Sequence, residues 1–304
     1  KRMREGSFDF MSPEVKFKLD ENGVPVSISI KQMKQSNMLI EEFMLLANKL
    51  VAQHIALPKS GPVKPFVYRV HDLPDPEKIA EFSRFVKTLG YTFDPNATSK
   101  SIGFQNLLNQ VKGKEEEALI NELAIRSMAK AVYSPENIGH YGLGFKYYSH
   151  FTSPIRRYSD LIVHRLLFNY TNLKSGELYS FAKLEEICDN ISATERNAVE
   201  AERFSVKQKQ IEFLKNHQGN EFSAIISGIT NFGIFVKITD ILAEGLVKLR
   251  DLDDDYYIHD EKKYAIVGKR TKKQYRLGDK INVKLIRVDE EKSELDFIIL
   301  DSEE

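Results

Sequence analysis

The chain has 304 residues, 42% of them hydrophobic, with 44 basic side chains against 44 acidic ones. That length can bury one large core and one small one, and the zero formal charge excludes a global field that draws in polyanions, so any nucleic-acid site must be local. A single cysteine, Cys188, excludes an internal disulfide, and no apolar run approaches the ~18 residues of a membrane span, Met38 to Leu46 being interrupted by Glu41 and Glu42. A cytoplasmic protein with no membrane partner is therefore expected. The start at Lys1, without an initiator methionine, points to a fragment of a larger protein.

In chain order, apolar residues recur at helical spacing over Met38–Ile55, Pro76–Leu89, Glu115–Tyr133, Pro154–Phe168 and a long run from Phe181 to Leu214. Pro58, Gly61, Pro62 and Pro65 predict a rigid loop before Phe66, and His140 to Tyr148 alternates aromatic and small residues as a strand does. This first part reads as α+β and mostly helical. Near Gly219 the period shortens. Phe222–Ile226, Ile234–Ile238, Gly245–Leu249, Lys280–Val288 and Leu295–Leu300 are β-like, and five short strands predict a small closed barrel. No internal repeat or low-complexity segment is present.

The segment IGHYGLGFKYYSHFTSPIRRYSDLIVHRLL, Ile138 to Leu167, breaks a rule of helix electrostatics. Ser153 followed by Pro154 predicts a helix start, an N-cap hydroxyl and then a proline whose missing N–H costs nothing in the first turn. Arg156 and Arg157 then fall in that first turn, beside the positive end of the dipole, where carboxylates are normally preferred. Free N–H groups with two forked guanidiniums describe a site for a phosphodiester or nucleotide. The competing reading is an Arg156/Asp160 helix pair and one surface arginine.

In the barrel part, Phe232 and Phe235 flank Gly233, with Phe222 on the preceding strand. At least one is expected to fill the core, since a small barrel is packed with side chains, and Phe222 and Phe232 are favoured as exposed platforms. Lys262, Lys263, Lys269, Arg270, Lys272, Lys273 and Arg276 form a run uninterrupted by carboxylates, either a solvated loop or part of a groove following a polyanion. Asp251, Asp253, Asp254 and Asp255 invite a metal reading that fails on spacing. A calcium loop starting at Asp251 puts Tyr256 where glycine is needed and Lys262 where a bidentate glutamate is needed, so no metal site is assigned.

HYGLGFKYYSHFTSPIRRYSDLIVHR resembles the signature of the ribonuclease II / ribonuclease R (RNB) family of processive 3′-to-5′ exoribonucleases. FDFMSPEVKF (Phe8 to Phe17), LIEEFMLLAN (Leu39 to Asn48), PFVYRVH (Pro65 to His71) and ATERNAVEAER (Ala193 to Arg203) match the same catalytic domain in order, so the resemblance covers nearly the whole chain. GNEFSAIISGITNFGIFVKI, EGLVKL and YRLGDKINVKLIRVD resemble the OB-fold RNA-binding domain named after ribosomal protein S-one.

The resemblance implies two domains, residues 1–217 from the later part of an RNB catalytic domain and 218–304 an RNA-binding barrel. It also implies hydrolysis of single-stranded RNA to nucleoside 5′-monophosphates by a monomer that uses Mg²⁺. Arg156 matches the family's catalytic arginine, Glu195 a glutamate near the last nucleotides, and Glu42, with Glu41 as alternative, a glutamate facing the RNA channel. Arg157, Tyr158, His150 and His164 belong to the same motif, with direct contact and packing both open. The barrel aromatics would stack unpaired bases, with Lys269, Arg270, Lys272 and Lys273 along the backbone. The family's metal-binding aspartate segment is not found, so the metal ligands are expected upstream of Lys1. The alternative is a non-catalytic RNA-binding fragment or scaffold.

Overall fold

The computed structural model describes residues 13–59, 61–95, 102–114, 116–172, 178–261 and 263–300. Its elements run β1 (Val15–Leu19), β2 (Pro25–Ile30), α1 (Gln35–Ala56), β3 (Tyr68–Val70), α2 (Pro76–Thr88), α3 (Ile102–Val111), α4 (Glu117–Ser127), β4 (Val132–Ser134), α5 (Tyr158–Thr171) and α6 (Phe181–Lys215). Then follow β5 (Glu221–Ile229), β6 (Gly233–Ile238), β7 (Glu244–Lys248), β8 (Tyr257–Asp260), β9 (Ala265–Gly268), β10 (Gln274–Arg276), β11 (Lys280–Asp289) and β12 (Glu294–Leu300). Met33–Val199 belong to one compact unit, and residues 13–32 and 200–300 to a second. No helix among the described residues is long and apolar enough to cross a membrane.

In the first unit, Ala52 and Ile55 of α1, Phe66 and Val67, Ile162, Val163 and Leu166 of α5, and Leu184 and Cys188 of α6 close one apolar core. Helix α2 starts as its sequence dictates, with Pro76 in the first turn and Asp75 accepting the Glu77 amide at 2.9 Å. The helix expected to run from Glu115 to Tyr133 ends instead at Ser127. Val132 and Tyr133 leave it to pair β4 antiparallel with β3, Arg69 opposite Tyr133, a tertiary demand that local periodicity does not report. His140 to Tyr148 is likewise not a strand. It folds as a 3-10 turn at Tyr141–Leu143, closed by Gly144 in the left-handed conformation at φ 63°.

In the second unit, β11-β12-β7-β6-β5 close the five-stranded barrel, with β12 parallel to β7 and the other pairs antiparallel. Alternate residues point inward: Ala224 and Ile226, Ile234, Val236 and Ile238, Val283 and Leu285, Leu295 and Phe297 are all buried. Hairpin β1–β2 joins this unit through Ile28, which packs on the barrel core. Between β7 and β11 the chain inserts a three-stranded antiparallel sheet, β10-β9-β8. Its strands of three and four residues are too short to show a period.

Candidate functional site

The approach to α5 is pinned before it reaches the arginines. Arg69 N donates to Tyr148 O at 2.9 Å and Ser149 Oγ to Val67 O at 2.6 Å. Buried Asn48 of α1 donates to the Tyr148 hydroxyl at 3.1 Å and accepts the Phe151 and Thr152 amides at 2.9 and 3.2 Å. Helix α5 does not begin at the Ser153/Pro154 signal. Ser153 O accepts the Arg156 and Arg157 amides at 3.3 and 3.1 Å in a separate turn, Arg157 is extended at φ −124°, ψ 119°, and the helix opens at Tyr158.

Asp160 explains the displacement. Its fully buried carboxylate accepts the Ser153 amide at 2.7 Å, Arg157 Nη2 at 2.9 Å and Ser159 Oγ at 2.9 Å. It occupies the third helical position, where negative charge suits the dipole, and it organises the preceding turn around itself. Arg156 and Arg157 therefore sit in the turn before α5, outside its first turn. The arginine paired with Asp160 is Arg157, not Arg156.

Three guanidiniums act on His150: Arg157, Arg69 and Arg156. Arg69 Nη1 meets Glu195 Oε2 at 2.7 Å and lies 4.5 Å over the Tyr133 ring. Arg157 is bound to Asp160, with its Nε buried and, among the described residues, without a hydrogen-bond partner. Arg156 is exposed, and among the described residues its side chain makes no ion pair or hydrogen bond. Tyr158 beside it is 52% exposed. Arg69 is the member of this cluster that the sequence reading did not single out. A cation between Tyr68 and Val70 in an apolar strand was the available signal, because a charge there demands a partner.

Two nearby imidazoles, His150 and His140, are held neutral by their surroundings. Burial first, then Arg157 and Arg69, push His150 down to about 2, with its Nδ1 sharing a hydrogen bond with the Tyr133 hydroxyl at 2.9 Å. Burial first, then His71 and Arg69, push His140 down to about 3. His71, also lowered by burial, donates from Nε2 to Ala129 O at 2.8 Å and accepts the Gly142 amide on Nδ1 at 3.0 Å, which fixes its tautomer. His164 is used internally, donating to Phe151 O at 2.9 Å and stacking on that ring. Glu42 is exposed on α1, the helix that also carries Asn48.

In the barrel unit, Phe232 is 61% exposed and meets half-buried Phe235 edge-to-face at 6.1 Å. Both line a groove of ≈670 Å³ with Arg203, Lys207, Lys237 and Lys248. Phe222 is half-buried against the barrel core, and the core place expected for one of the three is filled by Phe297. A core aromatic on β12 was hidden because a strand's inward face depends on its register.

The cation run is laced to the acidic loop. Lys273 Nζ lies 3.3 Å from Asp254 Oδ2, and Arg270 Nη2 donates to Asp254 O at 3.0 Å. Asp254 also accepts the Tyr257 hydroxyl at 2.9 Å. Lys269 and Lys272 are exposed, and Lys262 lies outside the described residues. No group of three or more His, Cys, Asp or Glu side chains among the described residues is placed to hold a metal ion, so the described residues do not themselves form a site for the Mg²⁺ whose ligands the resemblance put upstream of Lys1.

Two family models match the chain, an RNB domain over residues 1–172 and an S1 RNA binding domain over residues 215–299. With the closed barrel, they define an RNB-domain protein that carries an S1 barrel. Ribonuclease R of Aquifex aeolicus is 41% identical over 99% of this chain and 42% of its own length, and that of Thermotoga maritima 39% over 100% and 43%. The structure of Mycoplasma genitalium RNase R in complex with ribose methylated single-stranded RNA superposes with a TM-score of 0.89 at 30% identity, over 98% of this chain and 47% of that one. The chain belongs to the RNB-domain family, and the relatives it resembles over nearly its whole length are ribonucleases R. It spans less than half the length of these relatives.

Proposed function

We propose that this chain supplies the phosphate-neutralising and RNA-holding part of a ribonuclease R-like 3′-to-5′ exoribonuclease that releases nucleoside 5′-monophosphates from single-stranded RNA. The observation that carries this reading is the unequal fate of the three guanidiniums around His150. Arg69 and Arg157 are each tied to a carboxylate, and exposed Arg156 is the one that a phosphodiester can reach. A forked cation beside neutral imidazoles would grip a non-bridging phosphate oxygen and neutralise the charge that grows there in the transition state.

Glu195, held by Arg69, and exposed Glu42 would face the RNA, with Arg157, Tyr158 and His150 shaping the surface around Arg156. Residues 1–217 would then be the later part of the catalytic domain and 218–304 the RNA-binding barrel. In the barrel, Phe232 and Phe235 would stack a base, with Phe222 at the far end of β5 as a further platform, and Lys269, Arg270, Lys272 and Lys273 would follow the backbone. The RNA in the Mycoplasma genitalium complex supports this partner. Mg²⁺ would be held by residues other than those described here. The working protein is proposed to be a cytoplasmic monomer.

Incubation of the chain with a 3′-labelled oligoribonucleotide and Mg²⁺ or Mn²⁺ tests the division of labour. Retention of RNA without mononucleotide release is expected. Steady release abolished by Glu195→Gln would place a metal site within this chain, and failure to retain RNA would reject the proposed function.

A further inference from the structure

The inserted sheet β8–β10 is fastened at one point. Asp255 accepts four hydrogen bonds, from Tyr256 N at 2.7 Å, Arg270 N at 2.8 Å, Thr271 N at 2.6 Å and Thr271 Oγ1 at 2.8 Å. Against the desolvation that opposes them, these bonds hold its carboxyl down at about 2. Lys269 N also donates to Tyr256 O at 2.9 Å. The backbone of Tyr256 is thereby locked to the turn that carries Lys269, Arg270 and Lys272. This junction presents to solvent a phenol ring, Tyr256 being 72% exposed, and three exposed cations.

Lys272 is the telling residue. It sits at φ 61°, a left-handed backbone that favours glycine and that a β-carbon strains. Its ammonium reaches only the Lys269 carbonyl, at 3.0 Å, among the described residues. Glycine at this position would relieve the strain and remove the charge, so that substitution separates backbone fit from electrostatics. The insertion is also tied to the Phe232 turn, since His259 Nδ1 of β8 lies 2.9 Å from Asn231 Oδ1. Two exposed aromatics, Phe232 and Tyr256, are therefore carried on directly bonded segments.

We propose that Tyr256, with Lys269, Arg270 and Lys272, forms a second base-stacking subsite for single-stranded RNA, separate from the Phe232/Phe235 groove and lengthening the track that the barrel unit offers. The proposal rests on the reading of that unit as RNA-binding. A base stacks on the phenol ring, and the cations neutralise the flanking phosphates without reading sequence.

Fluorescence anisotropy on the full chain, with labelled oligouridylates of about 4 and about 12 nucleotides, tests it. Tyr256→Ala is expected to weaken the longer strand about 5- to 100-fold and the shorter, which fits one subsite, less than about 2-fold. Tyr256→Phe, which keeps the ring, should restore the longer strand. Lys272→Gly should keep or raise Tm while flattening the plot of log affinity against log salt by about 0.7. Unchanged binding of the longer strand in both Tyr256→Ala and Lys272→Gly would overturn the proposal. So would a lower Tm with an unchanged salt slope in Lys272→Gly, which makes the lysine a local staple. Polyglutamate bound in a Tyr256-dependent manner in place of RNA would assign the surface to an acidic protein segment and reject the subsite. Phe232→Ala separates the two readings: no loss on either strand there, beside a loss in Tyr256→Ala, would reject the groove and keep the second subsite.

Discussion

In the unit formed by Met33–Val199, charges pair beside the core, Arg69 of β3 with Glu195 of α6 across elements and Arg157 locally with the fully buried Asp160. In the barrel unit the core is apolar apart from one buried carboxylate, Asp296 of β12, which Lys248 of β7 and Arg287 of β11 neutralise, and further charge collects in a surface insertion, where Asp254 and Asp255 bind the turn that bears the cations. The difference governs how an unpaired cation is interpreted. Where the neighbouring guanidiniums are neutralised by built-in carboxylates, a bare one such as Arg156 is the proposed place for an outside anion. On a solvated insertion, exposure of a cation alone carries no such message, and the exposed Tyr256 ring locked beside the cations has to supply it.

Three perturbations break this comparison at different points. The largest effect is expected from Asp160→Ala, which strands the buried side of Arg157 and frees the Ser153 amide, at a cost of about 3–5 kcal/mol. Amide exchange should accelerate throughout α5 and stay slow in the barrel strands. A matched loss in the barrel would show that the charges do not belong to the first unit alone. Next comes Gly245→Ala on β7, whose new β-carbon would strike the Phe297 ring and come within 2.5 Å of the Leu295 carbonyl oxygen. Overpacking there should cost about 1–3 kcal/mol and reverse the exchange pattern, with the barrel opening and α5 protected.

The mildest perturbation is acid. His150 and His140 have folded pKa values of about 2 and about 3, below the ordinary 6.5, so the unfolded chain takes up protons first. Their stabilising effect is full above about pH 6.5 and is lost as pH falls toward the folded values. Going from pH 7 to pH 6 should cost the first unit about 1 kcal/mol. Asp255, lowered to about 2 from 3.8, exposes the barrel unit to acid only below about pH 4. Urea melts read by α5 and barrel exchange at pH 7, 6 and 5 would show it, and a barrel that loosens first would contradict the assignment.

Much of this architecture was legible because it repeats locally. The alternation in Ile234, Val236 and Ile238 marks a strand without knowledge of its partners, and Pro76 behind Asp75 marks a helix start. What escaped depends on distant residues. The Ser153/Pro154 signal was sound by local rules, yet Asp160 draws the Ser153 amide and Arg157 onto itself and delays the helix to Tyr158. Tyr133 was assigned to a helix because its strand exists only against β3. Motif resemblance pointed to Arg156 and Glu195, but not to Arg69 or Asn48, which hold their surroundings from elements far away in sequence.

The central claim is that Arg156 serves the substrate while Arg157 serves the fold. It is tested most directly by comparing Arg156→Ala and Arg157→Ala in a polypeptide of the length its relatives have, by single-turnover hydrolysis, RNA affinity and thermal unfolding. Arg156→Ala should lower the rate about 100- to 1,000-fold with little change in affinity or Tm, and Arg156→Lys should recover little of it, because the planar fork is missing. Arg157→Ala should lower Tm. A normal rate in Arg156→Ala, or an Arg157→Ala protein that melts normally yet has lost hydrolysis, would contradict the assignment.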